Sequence, residues 1–381
     1  MKLSNVIANL LVFFGTCLSS AWLFQQTREL RDNEVLPVKF ETQRQSASRF
    51  RLVGHIPTEH PVAELQFINE SEGWCSDVDN LWHTVDGGKT WQLINSSRHF
   101  RSFHFIDSYM GWMSDWFELN RTNDGGHTWT RIDTPMSDLG ILRSFHFEEN
   151  GQVGWIAGGV FYPMEKPWDC LNNARGILKD GSFGCLNGAI FRTDDGGFTW
   201  REQPTTKRIG RFMSINFLDA NHGWVAGDAG VLHTTDGGNT WRDDRFKKGC
   251  ESYYEVQDIY PMRISFSDQK NGLLLFDSGF VAKSADGGKK WCGLADLRSV
   301  SPDECYPERP GRFDDIAFKD AWHGIALDCH GVMYESSDGG ATWQKVEDSM
   351  RFGSILFHDT RHAWLVTYNR QLIRVKLYGE E

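Results

Sequence analysis

Six arginines stand at one recurring place in this chain. Arg101, Arg143, Arg211, Arg263, Arg312 and Arg351 precede Phe105, Phe147, Phe217, Phe266, Phe318 and Phe357 by 4, 4, 6, 3, 6 and 6 residues. A guanidinium presents its donors in a rigid fork that fits a carboxylate or a phosphate, so several brought together make an anion-binding cup. Five of the six offsets are even, which on a pleated strand puts those Arg on the side of the Phe, near the strand's start. The cup would be a local positive potential on a protein whose formal net charge is -11. The structural reading of the same residues is that each Arg pairs with a neighbouring acid, such as Asp107, Asp314 or Asp315, and rivets the fold.

What positions these residues is a repeat. TVDGGKTW at 84–91, TNDGGHTW at 122–129, TDDGGFTW at 193–200, TTDGGNTW at 234–241, SADGGKKW at 284–291 and SSDGGATW at 336–343 are six copies of one turn. In each, the Asp (Asp86, Asp124, Asp195, Asp236, Asp286, Asp338) is expected to bond backbone amides across the bend. The glycine pair supplies positive φ, and the Trp anchors the next strand. Upstream, a Phe closes one apolar run and a Gly-Trp, or its equivalent, opens the next: Phe67 with Gly73-Trp74, Phe105 with Gly111-Trp112, and so on to Phe357 with Ala363-Trp364. The Phe anchors are 38, 42, 70, 49, 52 and 39 residues apart, a basal period of one four-stranded propeller blade with three insertions. The seventh unit is one strand short, and the strand-like segment 49–56 precedes the first. The expected fold is therefore all-β, a single seven-bladed propeller closed by an N-terminal strand that completes the last blade.

The T-x-D-G-G-x-T-W turn is similar to the Asp-box, or BNR repeat, of sialidase-type propellers. The compact unit "GWVAGDAGVLHTTDGGNTW" at 223–241 most resembles the photosystem II stability and assembly factor family. The resemblance covers about residues 49–377. It implies a non-catalytic protein that uses an Arg-rich patch to contact an immature membrane-complex subunit. Sortilin-type receptors, xyloglucan hydrolases and sialidases carry the same turn, so a glycoside hydrolase and a glycan- or anion-binding module are the rival readings. A sialidase-like site would need three Arg, a Tyr-Glu pair and an Asp. Tyr253-Tyr254-Glu255 is the nearest source of the pair but falls in an insertion, and "HIPTEHP" at 55–61 keeps only the Ile-Pro of the sialidase F/Y-R-I-P motif.

The chain has 381 residues, 40% of them hydrophobic, and 16 Trp. Six Trp belong to Asp-boxes and five follow the strand-two Gly or Ala, which assigns them to core packing rather than to a sugar platform. Residues 1–24 carry one Lys and an apolar run from Val6 to Phe24, read as an export signal cleaved after Ala21 or as an uncleaved anchor. Acylation of Cys17 is the third reading, poorly served by Phe14-Gly15-Thr16. Residues 25–48 read as a polar tether and 49–381 as the propeller, with insertions near 158–188, 243–262 and 292–311. Export to a periplasm or the outer face of a membrane would let cysteines pair. Cys170 with Cys185 and Cys292 with Cys305 bracket insertions and are the expected pairs, Cys250 competing for the second.

No C-x-x-C spacing supports a metal, and no P-loop, dinucleotide fingerprint or G-x-S-x-G elbow supports a cofactor or a serine nucleophile. An acidic chain without a basic stripe argues against nucleic acid. The expectation is a monomer that binds a protein partner, with membrane association through its N-terminus.

Overall fold

The structure, a computed structural model, describes residues 50–376 except 78, 97–99, 101, 116, 138–139, 164–174, 178–182, 206–209, 229, 244–260, 277–280, 296–312, 319, 321, 329, 341, 347–349 and 358–361. Seven antiparallel sheets, blades one to seven, follow one another over residues 64–95, 102–132, 140–202, 212–243, 261–295, 313–345 and 352–376. The first strands of blades one to five lie successively against one another, as do those of blades six and seven, and that of blade seven, Phe352–Phe357, lies against that of blade one, Glu64–Phe67. Blade seven has three strands from its own unit and takes Phe50–His55 as its outer strand, paired from Phe50↔Val375 to His55↔Gln371. In the other blades the outer strand starts one residue after the Asp-box Trp, at Gln92 in blade one and Arg242 in blade four.

Each blade is too thin to bury its own faces, and the repeated aromatics solve this between blades. The strand-two Trp of one blade stacks on the Phe anchor of the next: Trp74 on Phe105 at 3.9 Å, Trp112 on Phe147 at 3.9 Å, Trp155 on Phe217 at 3.6 Å and Trp224 on Phe266 at 3.7 Å between ring centres. Trp364 of blade seven stacks on Phe67 of blade one at 4.7 Å, joining the two ends of the chain by the same contact. The Asp-box Trp of the same blade meets each Phe edge-on, as Trp241 does Phe217 at 6.1 Å. Beneath the ring lies the strand-two Gly. A Cβ on Gly223 would come within 2.4 Å of Phe217, so no larger residue fits there. Blades five and six have Leu273 and Ile325 where the others have Trp, and Phe318, facing Leu273, is the anchor left only partly buried among those whose burial is described. Each of the seven buried clusters joins the facing sides of two neighbouring blades.

The Asp-box chemistry is richer than amide capping. In blade three the Thr193 hydroxyl accepts the Gly197 amide at 2.8 Å and donates to Asp195 Oδ1 at 2.7 Å. Asp195 then takes the Thr199 amide at 2.9 Å and the Thr199 hydroxyl at 2.6 Å. All six glycine pairs have positive φ. The Thr199 hydroxyl and amide, with Thr193, hold Asp195 down at about 2. In Asp86, desolvation pushes up, but the Thr90 and Thr84 bonds prevail and hold it at about 2 as well. A carboxylate with a depressed native pKa adds stability above its ordinary value, and that contribution is lost as the pH falls through the native value. The melting temperature should therefore fall steeply from about pH 4 to about pH 2, and Asp195→Asn should flatten part of that slope; an unchanged profile would contradict the assignment.

The insertion near 158–188 is not wholly a loop. Gly154–Pro163 and Phe183–Thr193 pair over ten positions, and Arg175–Ile177 adds to the second of them, so much of it is a sheet arm prolonging blade three. Its length is a direct result of strand continuation: Val160, Leu186 and Ala189 are buried.

Candidate Arg-bearing face

Antiparallel order sorts the connections. Turns from first to second strand and Asp-box turns lie at one end of each blade, where they bond to each other, as Gly237 N to Asn221 O at 2.9 Å and Gly87 N to Ser71 O at 2.7 Å. The first strands begin at the opposite end, beside the turns from second to third strand. Arg143 lies in Gly140–Phe147, Arg263 in Pro261–Phe266, and Arg211 and Arg351 immediately before Phe212–Phe217 and Phe352–Phe357. These four therefore share the end away from the Asp-boxes. Arg101 and Arg312 lie outside the described residues. The blade-three arm extends from that same end. The strand ends flanking 244–260 and 296–312 also lie at that end.

The even offsets did not mean what pleating alone suggests. A bulge interrupts the first strand between Leu142 and Ser144, Phe212 and Ser214, Pro261 and Arg263, Phe313 and Asp315, and Phe352 and Ser354. The extra residue switches sides. Phe212 and Phe217, five apart, are both buried in one cluster, so Arg211 leaves the strand on the side opposite Phe217. Arg143 is itself the bulged residue.

The four arginines are not equivalent. The Arg211 amide donates to Asp228 Oδ1 at 2.6 Å, and its Nε stands 3.6 Å from Asp228 Oδ2. Burial pushes the Asp228 carboxyl up, while Arg211 and, from the neighbouring blade, Arg143 pull it down. The arm closes over this group: Gly210 N donates to Leu186 O at 2.8 Å. Arg263 and Arg351 are exposed. Arg351 donates through Nη1 to Met350 O at 3.1 Å and acts on Tyr334, whose hydroxyl donates to buried Asp328 at 3.2 Å. Tyr368, 53% exposed, gives its amide to Arg351 O at 3.0 Å.

Two sets of residues escaped the sequence reading. An Asp follows strand two in several blades and organises the next turn: Asp77 accepts the Asp79 and Asn80 amides, Asp115 those of Phe117 and Glu118, and Asp328 those of His330 and Val332. These acids share the Arg-bearing end, and their constant distance from the strand-two Gly was the available signal. The second set contains the inter-blade rivets. Third-strand residues directly opposite the strand-two Trp cover it with a cation: Arg121 over Trp112 at 5.7 Å, Arg192 over Trp155 at 5.3 Å, and Arg374 over Trp364 at 5.6 Å. Arg192 Nη1 also donates to Gly237 O of the next Asp-box at 2.7 Å. Of the acids named earlier as rivets, only Asp107 has its side chain described. Asp107 caps its own turn through the Tyr109 and Met110 amides, and the side chains of Asp314 and Asp315 lie outside the described set.

The family model described as Photosynthesis system II assembly factor YCF48 matches residues 178–249, within blades three and four. The chain is an Asp-box propeller resembling the photosystem II assembly-factor family. It is 28% identical over 239 residues to the photosystem II assembly lipoprotein Ycf48 of Synechococcus sp. (strain CC9902), a match covering 58% of this chain and 66%, just under two thirds, of that relative. Among solved structures, YCF48 bound to D1 peptide aligns with a TM-score of 0.59 at 20% identity, covering 89% of this chain and 99% of that one. YCF48 from Cyanidioschyzon merolae gives 0.55 at 16% identity, covering 86% and 98%. These two share the fold.

The remaining candidates in this assembly-factor-like propeller are structural or unseen. Cys185 is buried and disulfide-bonded, with its partner outside the described residues, as are Cys170 and Cys305 and the side chain of Cys292. Cys75 is a buried free thiol. Tyr253, Tyr254 and Glu255 lie outside the described residues, so the hydrolase site they were considered for has no geometry here. His104 and His146 face each other at 6.1 Å; burial lowers both, His146 to about 3, so they are neutral at ordinary pH. Among the described residues no group of three or more His, Cys, Asp or Glu could hold a metal ion.

Proposed function

We propose that this chain is a non-catalytic assembly or stability factor that holds a protein partner from a membrane complex at its Arg-bearing face. The observation that carries the reading is the convergence of Arg143, Arg211, Arg263 and Arg351 on the end of the ring from which the blade-three arm extends. Carboxylates of an immature or extended partner segment suit guanidinium donors held on rigid strands, since little ordering entropy is lost on binding. The similarity to a named photosystem II assembly factor, and to a structure titled with a D1 peptide, supports a partner of this kind. The disulfide at Cys185, which we pair with Cys170, would stiffen the arm beside the site, and Cys292 with Cys305 would do the same for a second insertion. The protein is exported and kept near its membrane by residues 1–24. The Synechococcus relative's designation as a lipoprotein supports a lipid on Cys17 over the cleaved and anchored alternatives.

The test is a crosslinked pull-down from the source membranes. The wild type is compared with a variant carrying Arg211→Gln, Arg263→Gln and Arg351→Gln, both shown to be folded by circular dichroism. Retention of a membrane-complex subunit by the wild type and its loss in the variant is expected. Equal capture by both would leave the Arg without a binding role.

A further inference from the structure

Five of the seven seams between blades carry a strand-two Trp stacked face to face on the next Phe anchor. In three of them the indole also bonds across the seam. Trp74, Trp155 and Trp224 donate to Gly125 O, Gly237 O and Gly287 O, each the first Asp-box glycine of the next blade, at 3.0, 3.1 and 2.9 Å. Between blades five and six neither contact exists. Leu273 stands in the place of the Trp, it has no N–H to give to the equivalent carbonyl of Gly339, and Phe318 keeps only part of its cover. A notch opens to solvent there, lined by Ser265, Asn271, Leu273, Lys283, Phe318 and Gly339. The next seam also lacks the Trp but is filled: Ile325 is fully buried in one cluster with Met333, Phe352 and Ile355, and Phe50 stacks on Phe352.

What bridges the five–six seam beside the notch is a surface contact. Lys283 lies opposite Leu273 across strands two and three, the register at which Arg121 and Arg192 cover Trp112 and Trp155. With no indole beneath it, Lys283 reaches to blade six and places Nζ 5.4 Å from the ring centre of Trp322, which is 60% exposed. Asp338, in the blade-six Asp-box, attracts the same ammonium. A solvated cation–π pair is much weaker than a buried aromatic stack with its hydrogen bond.

We propose that this seam is a gate in the ring: blades five and six part there more readily than the blades at the stacked seams, and Lys283 on Trp322 is the latch. One consequence rests on the function proposed above. Arg263 stands on blade five and Arg351 on blade seven, so a partner touching both spans the gate, and a tilt of blade six against blade five alters their spacing. A partner that fits one spacing draws the gate closed.

The test is hydrogen exchange followed by mass spectrometry on the intact protein. Peptides covering 261–276 and 313–328 should exchange about tenfold faster than those covering 102–114 and 140–157, whose blades meet through a stacked Trp. Leu273→Trp should slow exchange in the two seam peptides by about tenfold and raise the melting temperature. Trp322→Ala and Lys283→Met should each hasten it about threefold in the same peptides and leave blades two and three unchanged. Exchange in the wild type no faster at this seam than at the stacked ones would overturn the gate, even if Leu273→Trp is too crowded to fold. Faster exchange that neither Trp322→Ala nor Lys283→Met alters would remove the latch. With the membrane-complex subunit retained in the pull-down bound, the seam peptides should slow by about tenfold. Unchanged exchange beneath a bound subunit would separate the gate from the Arg-bearing face. Failure to retain any subunit would count against the Arg-face function and leave the comparison of seams standing.

Discussion

Removal of residues 50–56 from the propeller is expected to abolish cooperative unfolding altogether. The deleted strand is the outer member of blade seven, paired with Gln371–Lys376 over five positions, and Phe50 stacks on Phe352 at 6.0 Å. Ile56, just beyond it, is fully buried in the cluster that joins blade seven to blade one. Loss of one such side chain alone costs about 2–5 kcal/mol. The ladder bonds and the newly wetted faces of Leu372, Ile373 and Val375 add to it. The total is comparable with the roughly 5–15 kcal/mol by which a domain is stable, and the exposed edge would invite aggregation. Urea unfolding followed by Trp fluorescence would show a broad, non-cooperative transition or no folded baseline. A sharp transition within about 2 kcal/mol of the intact chain would mean that the ring closes without this strand.

Trp224→Ala should be the most damaging single substitution tested by the same method, costing about 3–5 kcal/mol. Trp224 is 2% exposed, stacks on Phe266 at 3.7 Å, and donates through Nε1 to Gly287 O at 2.9 Å. Truncation therefore opens a cavity between blades four and five and also leaves an Asp-box carbonyl without its donor. Trp224→Phe separates the two losses: it keeps a ring against Phe266 and removes only the N–H, so it should cost about 1–3 kcal/mol. Equal costs for the two variants would show that the bond, and not the stack, carries the interface.

Blade number, blade boundaries and the turn chemistry were legible because each is written repeatedly in residues that have few alternatives. Glycine pairs at positive φ and a Gly under a Phe ring leave little room for substitutes, so the pattern survives in six of the seven units, the seventh having Ala363 and no Asp-box. The direction of packing between blades was not legible. Phe and Trp were recognised as anchors, but that Trp74 serves Phe105 and not Phe67 depends on how one sheet leans on the next. The side of the strand that Arg211 takes was not legible, because a bulge is one residue long and leaves no mark in composition. Arg192 and Arg121 were passed over for a related reason. Their significance lies in being opposite Trp155 and Trp112 across a strand pair, and they vary from blade to blade as His83, His233, Lys283 and Glu335 do.

The stack of each Trp on the Phe of the following blade has a consequence for synthesis. A ribosome delivers the blades in order, and in blades one to four the strand-two Trp emerges without its stacking partner until 31, 35, 62 and 42 residues more have appeared. Trp364 reverses the dependence: it waits for no later residue, because its partner Phe67 was made first and has stood uncovered since. Nascent chains halted short of blade seven would thus display both a bare Phe67 and an unpaired strand at Phe50–His55. The first-made part of the molecule is the last to be sheltered, which sets the interval over which a chaperone must keep the chain apart from others.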